Sequence, residues 1–230
     1  MKFFIPTKKL FKAFLVAIFV LLLLNTLSIF LAINHNENRA LEAFIIRLFD
    51  FNQEANIPSF FTSIQFLIAT ILLLIITVYK KMSGKKYMGW LGMTLVFSLL
   101  MLDEAVSIHE FLIGYLREKN NSSDFFYYVS VIVFGLVILG TTLIYIPFFN
   151  HLNRKLLFSM LLSAGIFLMG AIVFETLGEN TFDANGQSFG YRLIYTVEET
   201  LEMLGLAVFI NTLNWYISIK MQKISIVLTV

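Results

Sequence analysis

Eight of the chain's fifteen acidic residues lie in three short stretches of otherwise apolar sequence. Residues Leu102 to Glu110 read LDEAVSIHE and carry Asp103, Glu104, Ser107, His109 and Glu110. Phe174 to Glu179 supplies Glu175 and Glu179, and Val197 to Glu202 supplies Glu198, Glu199 and Glu202. Carboxylates and an imidazole gathered in this way suit three roles. They can ligate a metal ion, because both are good ligands for hard and borderline cations. They can relay protons or carry a cation through a membrane. They can also simply hydrogen-bond between helices and hold a bundle together.

The charge balance puts the metal first. No Lys or Arg occurs from residue 88 to 116 or from 156 to 191, which leaves Arg192 as the basic side chain placed to offset the acids. A divalent ion would supply the missing positive charge, and oxygen-rich ligation favours manganese, iron, calcium or magnesium over zinc. Asp103, Glu175, Glu198 and Glu202 are the leading ligand candidates, because a carboxyl deep in an apolar span needs a reason to be there. Glu199, Glu110 and His109 follow as ligands or supporting groups, and Glu104, Ser107, Glu179, Tyr191, Arg192 and Tyr195 as residues lining the site. Plainer readings compete: His109 as one hydrogen-bonded imidazole, Glu110 and Glu179 at the aqueous boundary, and the two tyrosines as interfacial aromatics.

Helical geometry sharpens the grouping. At about 100° per residue, Asp103, Ser107, Glu110 and Gly114 fall in one stripe, and Tyr191, Tyr195, Glu198 and Glu202 in another. Ala164 and Ala171 lie below Glu175 on its face, and Gly205 continues the Glu202 face, where it would let a neighbouring helix approach closely.

Several known chemistries can be tested against the same residues, and an unusual di-metal arrangement stays open where the common one does not. No Glu-x-x-His pair of the ferritin-like type occurs, and His109-Glu110 is not followed by the second histidine of a zinc protease. Three histidines are too few for a desaturase-like cluster, and Ser107 near His109 gives only a weak hint of a Ser-His hydrolase, the two being two residues apart and so on different helix faces. Glu198-Glu199 resembles the paired glutamates of intramembrane CAAX-type proteases, but the arginine and later histidine motifs of that family are missing. With no cysteine, disulfides, Cys-zinc sites and thiol nucleophiles are excluded too.

The elements that must position these groups are transmembrane helices. Of the 230 residues, 58% are hydrophobic and only 14% charged, about half the charge of a soluble domain. A net charge of +2 without a basic patch points away from nucleic acid. Six apolar segments are long enough to span a bilayer: Phe14–Ile33, Phe60–Tyr79, Met88–Tyr115, Phe125–Phe148, Leu156–Leu177 and Tyr191–Ile217. The first reads as a retained signal anchor, its apolar run being too long for a cleaved signal. Spans one, two and four read as scaffolding, with Gly135, Gly140, Thr141 and Thr142 serving close helix packing. With both termini inside, twelve of the seventeen Lys and Arg fall on the cytoplasmic side, as the positive-inside rule expects. At about 1.5 Å per residue, the acids of spans three, five and six then share the outer half of the membrane. Leu41 to Phe51 suits a short amphipathic interfacial helix with Phe44, Ile45, Leu48 and Phe51 on one face, and Pro58 helps to start span two.

The LDEAxxxHE segment at Leu102–Glu110 and EETLEMLG at Glu198–Gly205 together resemble motifs of a group of bacterial multi-pass membrane proteins without an assigned activity. The likeness covers mainly spans three to six; it implies a six-helix plan and the bacterial inner membrane, and it carries no catalytic residue. The expectation is therefore an all-α polytopic bundle of six helices, N-in and C-in, forming one integral membrane domain over residues 1–230. Its acidic site lies between spans three, five and six. That site binds a divalent metal and, in a catalytic form, acts on a lipid-borne or small substrate. The alternatives are a proton- or cation-coupled transporter and a non-catalytic membrane subunit.

Overall fold

Long runs of Leu, Ile, Phe and Ala uninterrupted by proline favour helix, and helix is what forms. The computed structural model describes residues 7–34, 40–108, 111, 136, 140–181 and 188–220, and every element among them is helical. The elements are α1 (Thr7–Ile33), α2 (Ala40–Phe49), α3 (Ile57–Met82), α4 (Met88–Val106), α5 (Gly140–Phe149), α6 (Arg154–Leu168), a π-helical segment (Met169–Phe174), α7 (Glu175–Thr181) and α8 (Phe189–Lys220).

Four stretches are long and apolar enough to cross a membrane: Lys8–Ile33, Ile57–Met82, Met88–Val106 and Arg154–Gly178. They match the expected spans one, two, three and five in place. The expected fourth span, Phe125–Phe148, lies mostly outside the described residues, where only its end appears as α5. The expected sixth span is helical as α8, but it is not among the four.

The position of α8 explains how it tolerates its polar residues. It packs against α1, α3, α6, the π segment and α7, so it is the hub of the bundle. Met203, Gly205, Leu206, Ala207, Phe209, Ile210 and Leu213 are buried along it. On α1 the buried residues Phe14, Ile18, Leu21, Asn25 and Ser28 alternate by four and three, the spacing of one helix face. The opposite face exposes Val16, Phe19, Val20, Leu23, Leu27 and Phe30. Exposed apolar surface of this extent, repeated on α3 and α4, suits lipid rather than water.

Two amides of the apolar helices fasten the hub. Asn25 is fully buried; its Nδ2 donates to Thr196 Oγ1 of α8 at 2.9 Å, and its Oδ1 accepts from Phe51 N–H at 2.9 Å. Gln65 Nε2 on α3 donates to the Met203 carbonyl at 3.1 Å. Reading spans one and two as pure scaffold omits both amides. Because Asn25→Ala leaves two buried groups without their partner, it should cost about 1–3 kcal/mol. Thermal unfolding in detergent measures this, and an unchanged midpoint would mean the bond contributes nothing net.

The α2 helix forms as expected, but it ends before Phe51. No residue of α2 is buried, and Leu41 and Phe44 are exposed. Phe51 lies beyond the helix and is buried, because the chain turns at Asp50, whose carboxylate accepts from Asn52 N–H at 3.0 Å. Asn56 then caps α3 through a reciprocal pair of bonds with Ser59, with Pro58 in the first turn as anticipated. A Cβ on Gly140 would meet nothing within 4 Å among the described residues, whereas Gly89 and Gly92 of α4 lie tight against Phe148 and Tyr145.

Candidate functional site

Two helix irregularities flank the acids. The first ends α4. Ser107 adopts left-handed φ 53° and ψ 48°, and its N–H donates to the Asp103 carbonyl at 2.6 Å. A serine in this region is strained unless its surroundings hold it, and such residues gather at functional sites. Here the holder is Glu54, whose Oε2 accepts from Ser107 Oγ at 2.9 Å. The left-handed Ser107 ends α4 four residues after Asp103, so the described part of the expected stripe is Asp103 and Ser107. His109, Glu110 and Gly114 lie outside the described residues, as does the side chain of Glu179.

The second irregularity is the π-helical segment directly before Glu175. A π turn holds an extra residue, so every later side chain is rotated relative to an unbroken α-helix. Ala164 and Ala171 therefore do not share Glu175's face as a continuous wheel would have it. The segment also brings its backbone against α8. A Cβ on Gly170 would lie 2.7 Å from the Glu198 carbonyl oxygen and 3.0 Å from Glu202 Cγ. A Cβ on Gly205 would lie 2.7 Å from Phe167 N and 2.9 Å from its Cα. Gly205 thus has the close-approach role its position suggested, and Gly170 is its counterpart.

These contacts gather the glutamates. Glu199 is in electrostatic range of Glu54, Glu104, Glu198 and Glu202. Glu202 is in range of Glu54, Glu104, Glu175 and Glu198, and Glu104 in range of Glu54 and Asp103. Glu54, Glu104, Glu175, Glu198, Glu199 and Glu202 are all half-buried. They come from four segments: the turn before α3, the end of α4, the start of α7 and the middle of α8. Glu104, expected only to line the site, is a full member.

The expected lining residues form an adjoining polar layer. Tyr191 Oη donates to Asn52 Oδ1 at 2.6 Å, and its ring meets that of Tyr195 edge-on at 5.4 Å. Tyr195 is buried, with its hydroxyl beside Asp50 and Arg192. Both tyrosines therefore face the bundle rather than form an aromatic belt, and Arg192 stands with Asp50 and Tyr195.

Sequence reasoning missed Asp50, Asn52 and Glu54. A signal was present, in that two acids bracket Phe51 between an amphipathic helix and the Asn56-Pro58 start of α3. Only the fold folds that turn back under α8.

Among the described residues, no three or more His, Cys, Asp or Glu side chains are grouped so as to hold a metal ion between them. The glutamates share one electrostatic neighbourhood without converging on a point.

A family described as a domain of unknown function (DUF8692) matches residues 13–216, from the first turns of α1 almost to the end of α8. The chain belongs to this family. The matched region takes in every element of the centre. No curated protein matches the chain, and no solved structure does.

Proposed function

We propose that the protein is a six-span, single-domain membrane protein of a bacterial inner membrane, with both termini cytoplasmic, and that its carboxylate centre binds a divalent cation. One observation carries the reading. Six glutamates from four segments share one electrostatic neighbourhood beside two irregular helix turns, in parts of spans three and five that have no Lys or Arg. Like charges in a poorly solvated bundle repel strongly, and a bound cation relieves that repulsion. Glu54, Glu104, Glu175, Glu198, Glu199 and Glu202 are the candidate ligands, with Asp103, His109 and Glu110 adjacent in sequence. Oxygen donors of this kind suit manganese, iron, calcium or magnesium. Such an ion, once bound, could polarise a carbonyl or phosphoryl oxygen of a lipid-borne or small substrate.

A second reading is a proton- or cation-coupled transporter, in which the same half-buried acids relay protons or carry the ion. Chelation separates the two. A metal centre should lose thermal stability on chelation and regain it with one ion, because ligand binding stabilises the native state. A proton path should ignore the chelator and respond to pH. Indifference to both treatments would leave the acids as bundle contacts.

Orientation has its own test. Reporters fused within Lys80–Lys86 should mark the cytoplasm and those fused at Asn120–Ser123 the outside, because twelve basic residues oppose five. The reverse pattern would place the carboxylate centre in the inner leaflet.

A further inference from the structure

The sequence separates charge by end of the bundle. No Asp or Glu occurs in residues 1–36, 55–102, 125–174 or 203–230. These segments contain the start of α1, the end of α3, the starts of α4 and α6 and the end of α8. The same segments hold Lys8, Lys9, Lys12, Lys80, Lys81, Lys85, Lys86, Arg154, Lys155 and Lys220. This end therefore carries a cationic surface that no acid of its own segments offsets.

Two adjoining pockets open there, where the starts of α1 and α6 meet the end of α8. One, of about 290 Å³, is lined by Lys8, Lys155, Ser159, Asn211, Thr212 and Trp215. The other, of about 220 Å³, continues from Lys155 and Trp215 past Asn153 to Lys220. The site mixes three kinds of group. Ammonium groups come from three helices. Hydroxyl and amide side chains lie deeper. The indole of Trp215 forms a wall, with Lys155 Nζ 4.8 Å from its ring centroid. The α6 N-terminus, capped by Asn153, adds the positive end of a helix dipole.

We infer that this paired pocket binds the phosphate headgroup of an anionic phospholipid. Phosphate oxygens accept hydrogen bonds from the lysines, Ser159 and Asn211, while Trp215, Leu156 and Ile219 supply apolar surface for the glycerol and upper acyl chains. Basic pockets between transmembrane helices are suited to such headgroups, and tryptophan is at home at that depth. A free phosphate ion offers the same oxygens without the apolar part, so the two sources can be separated. The inference rests on the bilayer reading but not on the carboxylate centre, which is built from other residues.

The test uses the full chain purified in mild detergent and native mass spectrometry with phosphatidylglycerol, phosphatidylcholine or inorganic phosphate. Phosphatidylglycerol should be retained well above phosphatidylcholine. The double variant Lys8→Gln/Lys155→Gln should weaken its retention on the order of tenfold, each lysine near a membrane surface being worth about 1 kcal/mol. Lys81→Gln/Lys85→Gln removes equal charge from the same end outside the pockets and should retain the lipid as the parent does. Equal loss in both double variants, or none in the first, overturns the site. Displacement of the lipid by inorganic phosphate alone overturns the lipid as its source.

Discussion

Glu202→Gln is expected to remove most of the divalent-ion binding of the purified protein. Gln keeps the size and a hydrogen-bonding end but lacks the charge that a hard cation requires. Glu202 faces Glu54, Glu104, Glu175 and Glu198 from the hub helix, so its loss touches every part of the centre. Affinity should fall by about tenfold or more, since even the removal of a partner behind a ligand costs that much. Glu104→Gln and Asp103→Asn, on α4, should act in the same direction.

Stability provides the sign. Without metal, removing one of several mutually repelling carboxylates should not lower stability by more than about 1 kcal/mol, the net worth of a hydrogen bond. With metal at about a hundred times the dissociation constant, the parent gains about 2.7 kcal/mol that the variant does not. Elemental analysis and melting with and without metal read both effects. Lys85→Gln, exposed on the opposite end, is the control. Variants that match the parent in metal content and in metal-dependent melting would reduce the centre to bundle contacts.

The second large effect is steric. Gly205→Val should destabilise the protein by about 1–3 kcal/mol or more, the cost of overpacking a close-packed interior. Even its Cβ would sit 2.7 Å from Phe167 N and 2.9 Å from Phe167 Cα, and backbone cannot swing away as a side-chain tip can. Gly170→Ala should fail for the same reason, against the Glu198 carbonyl. Gly165, one turn earlier, is the contrast. A Cβ there meets nothing within 4 Å among the described residues, so Gly165→Ala should be neutral or stabilise by up to about 1 kcal/mol through helix propensity. If all three substitutions melted alike, the α6–α8 crossing would not be the close contact described. Gly170→Ala should also weaken any cation binding, because it pushes the π segment off Glu198 and Glu202.

How far the sequence reaches follows from the range of each interaction. Hydropathy acts locally, so apolar runs alone placed α1, α3, α4 and α6, and Pro58 announced the start of α3. The acids of α4, α7 and α8 stood out for the same reason, as costly groups in apolar runs, and Gly205 marked a close crossing. Bends in the helices were beyond that logic. A wheel drawn at constant angle cannot register a left-handed Ser107 or a π turn at Met169–Phe174, because both depend on partners distant in the chain: Glu54 for the first and α8 for the second. The membership of Glu54, Asp50 and Asn52 likewise depended on a turn that tucks beneath the hub, and Asn25 and Gln65 became fasteners only once α8 lay against α1 and α3. Periodicity determined which helices exist and where their charges lie; long-range packing alone decided which acids face one another.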